Sequence, residues 1–137
     1  MKTLPSGLPD IVGEEEELAR FLTQSGHFNA RMAKPAAFLP NPKDRETSVY
    51  RHGYHPSDQL WEIGRSATIG RNLYGVAIIT AKIVGEAELE VKSNEPPPRH
   101  AVIRGWPWLS DPELQRAQQK EKAIILASQS NLFLRPS

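Results

Sequence analysis

Apolar residues recur along this chain with two periods, the helical 3.6 and the strand period of 2, and the switches between them predict its elements. From Ile11 onward, Leu18, Phe21 and Leu22 fall at helical spacing, and Glu14 to Glu17 place four carboxylates where the positive end of a helix dipole favours them. A first helix is therefore predicted from about residue 11 to Ser25-Gly26. TSVYR at 47–51 is β-branched and aromatic and predicts a short strand. His55-Pro56-Ser57-Asp58 then reads as a helix start, with Leu60, Trp61 and Ile63 on its apolar side and Gly64 and Gly70 bracketing its end.

The second half alternates between the two periods. YGVAIITAKIV at 74–84 is a nearly continuous apolar run, as expected of a central strand, and EAELEVK at 86–92 alternates strictly. The two are joined at Gly85 either by a bend within one strand or by a tight hairpin. HAVIR at 100–104 predicts another strand. Ser110-Asp111-Pro112-Glu113 forms a capping box opening a helix to about Ser128, whose apolar side holds Leu114, Ala117, Ile124 and Ile125. The order predicts a single α+β domain over 1–137, with a small, mainly antiparallel sheet of three to four strands packed against about three helices. A flexible arm is expected at about 1–10, and a loosely docked tail at about 131–137 through Leu132, Phe133 and Leu134.

Between the first helix and TSVYR lies a stretch without simple period, Lys34 to Tyr54. Pro35, Pro40 and Pro42 hold its first half extended around Phe38 and Leu39. An irregular segment on a rigid scaffold is where a working surface is expected.

Composition narrows the chemistry. The 137 residues contain no cysteine, which removes disulfides, thiolate metal sites and a cysteine nucleophile. Seventeen basic against sixteen acidic residues leave a charge of +1, so any anion site must be local. No signal segment and no run of about 18 apolar residues occurs, and the expectation is a cytoplasmic protein with no membrane partner. The four histidines are scattered, with no pair at the spacing of a helical metal site, so neither a metal nor a cofactor is expected. The basic loop GRSATIGRNLYG lacks the Gly-Lys-Ser/Thr ending of a phosphate-binding loop.

Every histidine lies close to an arginine: His27 to Arg31, His52 and His55 to Arg51, His100 to Arg99 and Arg104. A sheet that brought Arg51 and His100 together would make a cationic pocket beside Tyr50 or Tyr54, suited to phosphate. Three functions follow. The leading one is a binding or adaptor protein that recognises a protein partner through segment 34–55 and the GWPW loop at 105–108. Its anchors would be Lys34, Phe38, Arg51, Tyr54, Arg99, His100, Arg104, Trp106 and Trp108, with Phe38, Trp106 and Trp108 exposed on one surface. The alternative is a nucleic-acid or nucleotide binder with Arg31, Arg51, Arg99 and Arg104 on one face. The third is a metal-independent enzyme acting on phosphate or nucleotide substrates, with His52, His55 and His100 as acid and base and Arg51 stabilising charge; the balance leans against an enzyme. Against all three stands packing, in which Arg51 pairs with Asp44, Glu46 or Glu62 and the tryptophans fill the core.

The motif order KPAAFLP, ETSVYRHG, LWEIGR, LYGVA, RHAVIRGWP resembles that of a group of short bacterial proteins. The resemblance covers most of the chain and implies a bacterial origin and an accessory role in a multi-gene system, of the anti-phage or mobile-element kind. It implies no activity. VYRHG also resembles the Tyr-Arg-Gly turn of ADP-ribosyltransferases, without their later Ser-Thr-Ser strand and Glu-x-Glu context.

Overall fold

Six short strands pair into one antiparallel sheet in a computed structural model that describes residues 3–51 and 57–136. In chain order they are β1 (Glu17–Leu22), β2 (Thr47–Arg51), β3 (Gly75–Thr80), β4 (Glu90–Ser93), β5 (His100–Arg104) and β6 (Asn131–Leu134). Their spatial order is β4-β5-β2-β1-β3-β6. Three α-helices accompany them, α1 (Asp58–Ala67), α2 (Ala81–Glu86) and α3 (Pro112–Gln129), with 3-10 turns at Ser25–His27 and Pro35–Phe38. The α+β class and the antiparallel sheet are as expected, but the sheet has six strands where three to four were predicted. Among the described residues no helix is long and apolar enough to cross a membrane.

Both faces of the sheet are covered, which explains its composition. Leu18, Leu22, Val49, Ala77, Ile79 and Ile103 pack on one face against Ala123, Leu126 and Ala127 of α3 and against Phe38. Ala19, Phe21, Val76 and Ile78 pack on the other against Leu60 and Trp61 of α1. A strand buried on both sides loses the alternation that marks a half-exposed one.

That loss accounts for the main corrections. The predicted first helix is β1: Leu18 and Leu22 face one layer and Phe21 the other, so their helical spacing is a coincidence of two buried faces. The apolar run 74–84 is split between β3 and α2, with Gly85 inside the helix, and only 90–92 of the predicted strand 86–92 is extended, as the start of β4. α2 ends with Glu88 at φ 60, Glu88 N–H donating to Gly85 O and Leu89 N–H to Val84 O, the paired bonds of a left-handed helix stop. Gly64 lies within α1, not at its end, because a Cβ there would come within 2.7 Å of the Phe21 ring. The N-cap of α3 is Asp111 rather than Ser110, its carboxylate accepting from Glu113 N and Leu114 N at 2.9 and 3.3 Å.

Both terminal segments, among the described residues, contact the sheet. The tail expected to dock loosely forms β6 and completes the ladder on β3. The arm is held by Ser6, whose amide and hydroxyl donate to Glu95, by Ser93 Oγ donating to Asp10 O at 2.6 Å, and by Arg51 Nη1 donating to Pro9 O.

Candidate functional site

Of the nine residues expected to form a surface, Phe38, Arg51 and Trp106 are interior. Arg51 is 1 % exposed; its Nε and Nη2 donate to the two carboxylate oxygens of Glu16 at 2.6 and 2.9 Å, and its Nη1 donates to Pro9 O at 2.6 Å. Its partner is thus Glu16, not Asp44, Glu46 or Glu62. Neighbours in a strand point to opposite faces, and His100 stands opposite Tyr50 in the β2–β5 ladder, so Arg51 and His100 are not brought together. Phe38 is fully buried, and Trp106 is buried with its Nε1 donating to Ile103 O at 3.2 Å. The expected shared surface of Phe38, Trp106 and Trp108 therefore reduces to Trp108, over which the Arg45 guanidinium stacks at 4.8 Å.

The four-arginine face is not formed either. Arg51 is buried, Arg104 pairs with Glu90, Arg99 donates its amide to Glu95 from a positive φ, and Arg31 sits in an exposed turn capped by Asn29. Lys34 is exposed and opens the 3-10 turn, its amide donating to His27 O. His52, Tyr54 and His55 lie outside the described residues.

A different site emerges where β1 and β2 part. Their paired positions are Leu18 with Arg51 and Ala19 with Tyr50; Arg20 then fills the fork, Nε donating to Ala37 O at 2.7 Å and Nη1 to Ser48 O at 2.9 Å. Beyond it opens a cleft of about 380 Å³ with three walls: the end of β1 through His27, the segment from Ala36 to Tyr50, and the end of α1 through Arg71. Phe21 and Tyr50 tilt against each other at 5.7 Å on one side. Asp44 and Glu46 border the middle wall.

Burial and neighbouring charge shift three titratable groups of the cleft. Burial, and then the charge of Arg71, lowers the pKa of Arg20 to about 10. Burial, and then Arg20, pushes the His27 imidazole below its usual range. Burial raises the Tyr50 phenol, with Arg71 opposing it. Arg71 is thus near enough to act on both Arg20 and Tyr50, while its Nη2 donates to Ala67 O at 3.2 Å. Among the described residues neither Arg20 nor Arg71 is ion-paired with a carboxylate. Arg20 and Arg71 thus place two positive charges on the cleft wall, one of them fixed by two main-chain carbonyls.

His100 borders this region from β5. Its Nε2 lies 2.7 Å from Ser48 Oγ, its Nδ1 2.9 Å from Asn94 O, and its ring meets Tyr50 edge-on at 5.3 Å. Sequence reasoning found His100 and Tyr50 but missed Arg20, Ser48 and Arg71. The one signal for Arg20 is a charge set in the apolar run ELARFL. Arg71 lies in a basic loop that matches no phosphate motif, and Ser48 carries no signal of its own. No family model, curated protein or solved structure matches this chain, so the cleft is interpreted from its own geometry.

Proposed function

We propose that this protein binds a small phosphate-bearing ligand of nucleotide size in the cleft between β1 and β2. The observation that carries this reading is that Arg20, held by Ala37 O and Ser48 O, lines one cleft with Arg71, two positive charges that a bound dianion would neutralise. The cavity falls in the range of small-ligand pockets, roughly 300–1,000 Å³. Phe21 and Tyr50 offer an aromatic wall to a base, and Asp44 and Glu46 offer acceptors to amino groups.

Arg71→Gln separates this reading from a packing role. Arg71 is exposed, and removing its charge relieves Arg20, so the variant should keep or raise the melting temperature. Its affinity for phosphate and AMP should fall by about tenfold or more, the loss of one charge-assisted contact of about 1.5–3 kcal/mol. Isothermal titration and a thermal scan on the same samples measure both. Wild-type protein that binds neither ligand, or a variant that binds them equally well, would overturn the reading.

His27 supplies a pH signature. Its pKa is lowered in the free protein, and a bound dianion would raise it, so the complex holds more protons than its parts. Affinity for sulfate, which does not itself titrate near neutrality, should therefore rise as pH falls from about 7.5 toward 5.5, through the ordinary imidazole range. His27→Gln should flatten that slope. A flat wild-type profile would place His27 outside the anion's reach.

A further inference from the structure

Antiparallel register puts Ser48 opposite Val102 and Tyr50 opposite His100, so Ser48 and His100 are diagonal neighbours on one face of the sheet. Three contacts fix their chemistry. Asn94 O can only accept, so His100 Nδ1 carries the ring proton and donates to it. In the neutral ring Nε2 is then the acceptor, and Ser48 Oγ–H donates to it at 2.7 Å. Asn94 N–H in turn donates to His100 O, so the residue that orients the ring is clamped to its backbone. A hydroxyl bonded to a neutral imidazole whose other nitrogen is held by an acceptor is the arrangement of an activated serine nucleophile.

Its surroundings choose the electrophile. Ser48 is exposed and lines the cleft, and Arg20 Nη1 donates to the carbonyl of Ser48 itself, which brings a guanidinium within one residue of the hydroxyl. We propose that Ser48 is a nucleophile and His100 its general base for phosphoryl transfer from a phosphate monoester, an inference that rests on the anion-binding reading of the cleft. Oγ gives its proton to Nε2 as the Oγ–P bond forms. The P–O bond to the alcohol breaks, its electron pair stays on that oxygen, and Nε2 returns the proton there. Water, deprotonated by Nε2, then attacks phosphorus; the P–Oγ bond breaks, Oγ is reprotonated, and inorganic phosphate leaves. Arg20 and Arg71 hold the equatorial oxygens, where charge gathers in such transfers.

The test separates this step from anion binding. A neutral fluorophosphonate does not need the arginines, so labelling followed by intact-protein and peptide mass spectrometry reads the Ser48–His100 pair alone. Wild type should be labelled at Ser48, Ser48→Ala should not be labelled, and His100→Gln should label at least 100-fold more slowly. Thermal scans accompany both variants. With p-nitrophenyl phosphate, acid-quenched wild type should carry phosphate on Ser48, and Ser48→Ala should lose turnover while still binding sulfate. No labelling of wild type at Ser48 overturns the proposal, whatever the sulfate titration shows. Labelling without p-nitrophenol release overturns the phosphoryl-transfer step, and failure of sulfate binding with labelling intact removes the cleft reading on which the substrate rests.

Discussion

Glu16→Ala is expected to lower the free energy of unfolding by about 3 kcal/mol, the lower end of the loss seen when one partner of a buried ion pair is removed. The carboxylate receives both Nε and Nη2 of Arg51, whose side chain is 1 % exposed against 21 % for Glu16. Without it, a guanidinium remains in the interior with Pro9 O as a side-chain acceptor, and water reaches it poorly. Glu16 also accepts from Gly13 N at 2.9 Å, and its carbonyl accepts from Ala81 N, so it joins the arm, β1, β2 and the start of α2. Chemical denaturation measures the loss. Glu16→Ala/Arg51→Met should recover at least half of it, because the burial penalty of the orphaned charge is what the double variant removes. An Arg51 that served a ligand would behave oppositely: Glu16→Ala would cost little and would tighten anion binding.

The elements legible in the sequence are those whose signals are local. TSVYR and HAVIR became β2 and β5 because β-branched and aromatic runs fit a pleated surface, and α3 began where Asp111 and Pro112 could satisfy its first turn. α1 likewise starts at Ser57, whose Oγ accepts from Leu60 N. What failed depended on distant partners. β1 is a strand because β2 and β3 flank it and both of its faces are covered, facts that no window around Leu18 contains. β3 stops at Thr80 because its partner begins there, Glu17 standing opposite Thr80. The apolar run then continues as α2, whose Val84 joins the core on the α3 side.

The site was less legible than the fold for the same reason. Arg20, Tyr50 and Arg71 come from two strands and the loop after α1, and Ser48 meets His100 across 52 residues only because one register aligns β2 with β5. A shift of a single residue would send Ser48 to the opposite face. Proximity in sequence pointed instead to Arg51, which alternation turns into the core. Segment 34–55 does contribute a wall of the cleft, through Ala36, Leu39, Asn41 and Asp44, while its most conspicuous side chain points inward.

That side chain, Phe38, gives the second large effect. Phe38→Ala should destabilise the fold by about 3–5 kcal/mol, the cost of emptying an aromatic ring's volume in a packed core. Its ring is fully buried in the layer that holds Leu18, Val49 and Leu126, and its carbonyl accepts from Thr47 Oγ1 at 2.7 Å, fixing the 3-10 turn to β2. The preceding carbonyl, Ala37 O, is the acceptor that holds Arg20 in the fork. Phe38 thus positions Arg20 from behind, through backbone alone. Phe38→Leu should lose less than half as much stability and keep phosphate affinity within about twofold, since it preserves an apolar anchor of similar reach. Equilibrium denaturation of both variants, with phosphate titration of Phe38→Leu, checks this. A loss within about 0.5 kcal/mol for Phe38→Ala, typical of a surface position, would return Phe38 to the exterior and remove the wall on which the cleft is built.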